Sequence, residues 1–146
     1  MRVGDILKEK SPEIFSVTPD RTLVDVLRLF AKRNIGFVLV GNTPGEYQGT
    51  LSERDCCNAM AERGADAAQA RAGEIMKRDV PTCSASDLLP LAMAIMTRQR
   101  TRHVIVLDDG KLVGIVSIGD VVKHRLDEAL RTEQELEEYV AGKGYH

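Results

Sequence analysis

Tryptophan is absent from this 146-residue sequence, and phenylalanine and tyrosine occur three times each. A chain so poor in aromatic rings lacks the interleaved stacking faces that hold single-stranded nucleic acid. Charge offers no substitute, because 20 Lys and Arg stand against 22 Asp and Glu, a net of −2 with no basic stripe. Nucleic acid is therefore not expected as a partner. No apolar run approaches the roughly 18–20 residues that cross a bilayer, so no membrane partner is expected either. The opening stretch MRVGDILKEKSPEIF carries early acids and no unbroken hydrophobic segment, which argues against a secretory signal. Three cysteines, Cys56, Cys57 and Cys83, are odd in number and stand at neither a zinc nor a CxxC spacing. All three are expected as small core residues in a reducing cytoplasm, with a strained Cys56–Cys57 redox pair the less favoured reading. His124 and His146 have no acid or cysteine at a metal-ligand spacing. A P-loop lysine, a nucleophile elbow and a carboxylate cluster for metal-assisted hydrolysis are all missing. No enzyme, catalytic residue, catalytic cofactor or metal is expected.

What the chain does have is a repeat. Residues 16–40, SVTPDRTLVDVLRLFAKRNIGFVLV, align without gaps on 82–106, TCSASDLLPLAMAIMTRQRTRHVIV. Leu23, Val26, Leu27 and Phe30 follow the i, i+3, i+4, i+7 spacing of an amphipathic helix, and Leu89, Ala92, Met93 and Met96 repeat it. A polar turn follows each helix, then a β-rich run, FVLV or HVIV. After a loop, a second strand leads into a second helix. Related openings, VGDILK and AGEIMK, precede the two halves. Each unit reads β-α-β-β-α, and the fold class is α/β (α+β), two such repeats packed with pseudo-two-fold symmetry. The boundaries expected are a first repeat over 1–62, a short alanine-rich linker over 63–71, a second repeat over 72–125 and a helical extension over 126–146. Hydrophobic residues make up 43% of the sequence, enough for a core once two units that are marginal alone pack sheet against sheet.

The repeat also carries a motif. GTLSERD and GIVSIGD place Gly49, Ser52 and Asp55 at the same relative positions as Gly114, Ser117 and Asp120. Ser-x-x-Asp at a helix start is a capping box, which from the tetrapeptide alone is the favoured reading. Three features point towards a ligand. A glycine inside a strand marks close approach of a ligand or backbone, a strand-to-helix junction offers free N–H groups to an anion, and a pseudo-dyad brings two such junctions to one interface. The two roles are compatible.

The tandem repeat, the GTLSERD and GIVSIGD junctions and the TRHVIV strand together resemble a pair of cystathionine-β-synthase (CBS) domains, a Bateman module, over roughly 3–125. The resemblance implies a non-catalytic regulatory module that binds an adenosyl compound such as AMP, ADP, ATP, S-adenosylmethionine or NAD in clefts between the repeats. It implies that Asp120 and Asp55 hold ribose hydroxyls and that Ser117 and Ser52 contact ribose or phosphate. Val17 and Thr18, or Cys83 and Ser84, would sandwich the base. Ile35, Gly36 and Phe37, or Arg102, His103 and Val104, would complete each pocket. With Gly114 in its strand and Arg54 beside Asp55, these make up the candidate ligand-binding set. The Asp120 cleft is favoured because Arg102 and His103 stand near it as phosphate partners, where the other cleft has Gly36 and Phe37.

Beyond the repeats, Val122, Leu126, Ala129, Leu136 and Val140 keep close to a 4,3 spacing, interrupted at Glu133. A long helix ending at Gly142 is expected, with an apolar stripe that packs on its own module or on a second copy. The resemblance favours a homodimer, and a regulated protein acting in trans completes the expected partners. Met60, Met93 and Met96 read as core filler, and Arg98, Arg100 and Arg102 as a solvated turn or a phosphate contact. The alternative to the sensor is a purely structural dimerisation module with no ligand.

Overall fold

The computed structural model describes residues 1–10 and 13–142 of the chain; His146 lies outside the described residues. The first half holds α1 (Val3–Glu9), β1 (Ser16–Val17), α2 (Leu23–Arg33), β2 (Phe37–Val40), β3 (Gly49–Ser52) and α3 (Glu53–Arg63). A 3-10 segment (Gly64–Gln69) joins it to α4 (Ala72–Ile75), β4 (Thr82–Ser84), α5 (Leu89–Gln99), β5 (His103–Asp108), β6 (Lys111–Ser117) and α6 (Ile118–Val140). In each half the first strand lies parallel to the second and the second antiparallel to the third, giving two three-stranded sheets with the repeated unit in the middle strand. The β-α-β-β-α pattern of both repeats is as the sequence implies.

The middle strands are apolar over residues 38–40 and 104–107 because both of their faces are covered there. Val38 and Val40 meet Leu23, Val26 and Phe30 in one core, and Val104 and Val106 meet Leu89, Ala92 and Met96 in the other. Strand alternation turns Phe37 and Leu39, and likewise His103 and Ile105, to the opposite face. There Leu39 and Ile105 are 2% and 0% exposed. The rings of Phe37 and His103, equivalent positions in the repeats, stack with centroids 4.3 Å apart and planes at 14°. The sheets thus meet face to face across the pseudo-dyad.

The openings cross over. Val3 and Ile6 of α1 are buried in the second core, whereas Ala72 and Met76, at the α4 opening, belong to the first. Matched backbone bonds hold both straps. Val3 and Gly4 donate to Asp87 and Ala85, each at 2.9 Å, as Ala72 and Gly73 donate to Arg21 and Pro19 at 2.6 and 2.9 Å. Leu89 in turn donates to Met1 at 3.0 Å, and Leu23 to Ala70 at 2.9 Å. The core of each repeat is therefore completed by the opening segment of the other.

This crossover explains the strand glycines. A Cβ on Gly114 would stand 2.8 Å from Leu7 Cδ2, and one on Gly49 would stand 2.7 Å from the Lys77 carbonyl and 2.8 Å from Met76 Sδ. Both glycines make room for a crossing strap, the backbone approach that a strand glycine signals.

Three residues depart from the core expected for them. Cys56 is 2% exposed and Cys83 7%, but Cys57 is exposed. Neighbours on a helix point about 100° apart, so only one of an adjacent pair faces a narrow core stripe. Met60 and Leu27, at 46% and 39% exposed, sit outside the stripe for the same reason. Burial pushes the Cys56 thiol up to about 11, so it stays protonated and inert at neutral pH.

From Val122 onward α6 leaves the core, and Val121 is its one buried residue among those described. At 23 residues the helix is about 34 Å long. It ends at Ala141, with Gly142 at φ +80°, the left-handed geometry that stops a helix.

Candidate functional site

Both Ser-x-x-Asp junctions close as capping boxes. Ser117 Oγ accepts from the Asp120 amide at 3.1 Å, and Asp120 Oδ2 accepts from the Ser117 amide at 2.8 Å. Ser52 and Asp55 repeat the pair at 3.1 and 2.9 Å, and Ser52 Oγ also donates to Asp55 Oδ2 at 2.9 Å. All of these bonds to carboxylate fall on Oδ2. Among the described residues no hydrogen bond reaches Oδ1 of either Asp, so each box leaves one carboxylate oxygen for a further donor.

The junctions then diverge. Lys10, at the C-terminal end of α1, reaches Asp120 Oδ2 at 2.7 Å and donates to the Ile115 carbonyl at 2.9 Å. Burial pulls the Asp120 carboxyl upward, but the Lys10 ammonium and the Ser117 amide outweigh it and hold the group below its ordinary value. At the first junction no cation pairs with Asp55 among the described residues. Glu53 stands there instead, its Oε1 2.8 Å from where a Gly36 Cβ would lie, and its amide donates to the Gly36 carbonyl at 3.0 Å. The corresponding first helical residue of the second repeat is Ile118, whose amide donates to Arg102 O at 2.8 Å. One junction is thus an acid–base pair beside an apolar residue, and the other gathers two carboxylates.

His103 lies opposite Ser117 in the β5–β6 register, as Phe37 lies opposite Ser52. Burial against Phe37, helped by the Lys10 charge and opposed by Asp120, drives the imidazole down to about 4. At neutral pH His103 therefore carries no charge for a phosphate and offers an N–H alone. Arg102 and Arg54 are exposed.

The remaining candidates stand elsewhere within their own repeats. Val17 pairs with Val40 and Cys83 with Val106, whereas Phe37 and His103 mark the junction ends of the same strands. Three strand residues, about 10 Å, separate the two levels. Thr18 donates to Asp20 and lines a recess with Pro19, Asn42 and Gly73. The Ser84 amide donates to Asp87 at 2.7 Å, and its hydroxyl shares a 3.0 Å bond with Ser86. Gly114 is buried beneath Leu7. The structure gathers Ser117, Asp120 and His103 around Lys10, and Ser52, Asp55, Gly36 and Phe37 around Glu53.

Lys10 is the polar residue that sequence reading overlooked. Its only trace in the sequence is the opening that carries it, since nothing local to Lys10 indicates that α1 docks on the far repeat. A second overlooked feature is an apolar groove of about 500 Å³ between α5 and α6, lined by Met93, Met96, Ile118, Val122 and Leu126 with Arg125 at its edge. Among the described residues no cluster of His, Cys, Asp or Glu is able to hold a metal, and no helix is long and apolar enough to cross a membrane.

A carboxylate oxygen left without a donor at a helix start fits a ligand with neighbouring hydroxyls, and an ammonium next to the carboxylate, as at Asp120, fits an anionic group on the same ligand. Known proteins share the frame. Residues 3–62 and 72–127 each match the family model described as the CBS domain. A mitochondrial CBS domain-containing protein of Arabidopsis thaliana is 31% identical over 152 residues, covering 98% of this chain and 73% of its own. The crystal structure of a CBS-domain containing protein from Agrobacterium tumefaciens superposes with a TM-score of 0.82 at 36% identity, over 86% of this chain and 99% of the other. A CBS domain protein from Pyrobaculum aerophilum, solved in complex with AMP, gives 0.70 at 29% identity over 82% and 89%.

Proposed function

Because this chain belongs to the CBS-domain family, carrying two copies in tandem, we propose that it is a non-catalytic sensor that binds an adenosyl nucleotide at its strand–helix junctions and relays occupancy to a partner protein in trans. The observation that carries this reading is the spare Oδ1 on each capping aspartate, a ready acceptor for ribose hydroxyls at a helix start. The AMP complex of the Pyrobaculum protein supports the ligand class. Binding shifts a conformational equilibrium only through unequal affinity for its states, so the ligand signals by favouring one arrangement of the two reciprocally strapped repeats. A cytoplasmic location goes with the three free cysteines.

A thermal-shift panel of AMP, ADP, ATP, NAD and S-adenosylmethionine tests it. Ligand at about 100 times its dissociation constant stabilises the fold by roughly 2.7 kcal/mol, and Asp120→Ala or Asp55→Ala abolishes the shift at its own cleft. Each nucleotide is recovered unchanged by chromatography. Absence of any shift at millimolar ligand leaves the motifs as helix caps and the module as a structural one.

The groove favours a second element of the reading, a homodimer. Ile118, Val122, Leu126 and Leu130 form one exposed stripe on α6, each between 48% and 59% exposed, and the first three of them line the groove. Self-association removes that surface from water at about 25 cal/mol per Å². Light scattering is expected to give about twice the 16.1 kDa chain mass, and Leu126→Glu the single mass with helicity unchanged. A monomeric wild-type chain refutes the dimer.

A further inference from the structure

Resting on the sensor reading above, we infer that Lys10 makes the Asp120 junction selective for phosphate-bearing nucleotides over neutral nucleosides. An ammonium has three N–H donors. Two of them are spent inside the protein, on Asp120 Oδ2 at 2.7 Å and the Ile115 carbonyl at 2.9 Å. The third remains for an acceptor from outside, and the Lys10 side chain is 33% exposed, open enough to meet one. A nucleoside monophosphate satisfies both groups at once, its hydroxyls donating to Asp120 Oδ1 and its phosphate accepting from Lys10. A nucleoside satisfies only the carboxylate, which the ammonium has already neutralised.

The position of Lys10 is fixed by the crossover. Val3 and Ile6 anchor α1 in the second core, and Leu7 sits on Gly114 of the strand that ends at Ser117. The lysine is thereby delivered to the end of a strand more than a hundred residues away, and it is not a side chain swinging from a distant loop. His103 is neutral there and Arg102 is exposed, which leaves Lys10 as the cation held against the carboxylate. The Asp55 junction provides an internal contrast. Its Glu53 and Asp55 present two carboxylates with no paired cation among the described residues, so phosphate is disfavoured where hydroxyls are still accepted.

The test is calorimetric titration of the full chain with AMP and with adenosine, for wild type, Lys10→Met and Lys10→Arg. Wild type is expected to bind AMP at least tenfold more tightly than adenosine. Lys10→Met should weaken AMP by roughly ten- to a hundredfold, the span of one charged hydrogen bond, and leave adenosine within about threefold. Lys10→Arg should keep most of the preference, and added salt should weaken AMP binding to wild type more than to Lys10→Met. Melting curves check that each variant folds. An AMP-to-adenosine ratio unchanged by Lys10→Met, or both ligands tightened by it, overturns the inference, the second result marking Lys10 as a plug. AMP binding abolished by Asp55→Ala but not by Asp120→Ala overturns it while the sensor reading stands. A folded wild-type chain that binds neither compound removes the sensor reading and this inference together.

Discussion

Ile6→Asp should unfold the second repeat, although Ile6 lies at the start of the first. Ile6 is 4% exposed among Cys83, Leu89, Val104 and Val116, all of them residues of the second half. A carboxylate there loses its hydration and gains no partner, a change that costs more than about 4 kcal/mol and stands among the most damaging single substitutions. Ile6→Ala gives the graded version, about 2–5 kcal/mol from lost burial and the cavity left behind. Lys8→Ala, on the exposed side of the same helix, should stay within about 0.5 kcal/mol. Urea unfolding ranks the three, and amide exchange locates the damage. Protection should fall first in β4, β5 and β6, with β1 to β3 following in the same transition because α4 straps the first core in return. Exchange that quickens only within residues 1–9, with the urea midpoint unmoved, would show that α1 is peripheral.

That nonlocal dependence is also what the sequence conceals. The middle strands and their helices are legible because their signals are local. FVLV and HVIV are runs of strand-forming residues, Leu23, Val26 and Phe30 keep helical spacing, and Ser-x-x-Asp ahead of a helix reads as its cap. The likeness of GTLSERD to GIVSIGD is likewise enough to pair Asp55 with Asp120. VGDILK, by contrast, says that Val3 and Ile6 share a buried face without saying which core buries it. Gly49 and Gly114 announce a close approach, and the approaching atoms turn out to be the protein's own Leu7, Met76 and Lys77. Lys10 meets Asp120 only because both cores are completed from across the dyad. Thr18 and Ser84 follow another rule, since sequence neighbours of a strand are spread along it at about 3.3 Å per residue. Membership of a strand is readable from composition, but the level along it is set by register.

Acidification should weaken the fold earlier than its carboxylates alone would allow, and His103 is the reason. Stacked on Phe37 and close to the Lys10–Asp120 pair, whose ammonium lowers its pKa and whose carboxylate raises it, the ring has its pKa driven from the ordinary 6.5 to about 4, chiefly by burial. In the unfolded chain it titrates near 6.5. Between those values the unfolded state holds a proton that the folded state refuses, so stability falls as pH falls. The slope is about 1.4 kcal/mol per pH unit for one such group, approaching a total of about 3 kcal/mol near pH 4. Asp120 acts in a lower window. Its folded pKa is depressed, so its contribution is intact above the unfolded carboxylate value and fades only as pH drops through the folded one. His103→Phe separates the two. A phenyl ring keeps the stack on Phe37 and removes the titration, so the urea midpoint should be flatter between pH 6.5 and 4 by the His103 share while the decline at lower pH persists. An unchanged slope in His103→Phe would mean that the imidazole takes up its proton in the folded state as readily as in the unfolded one. It would then be able to offer that charge to an anion at the Asp120 junction.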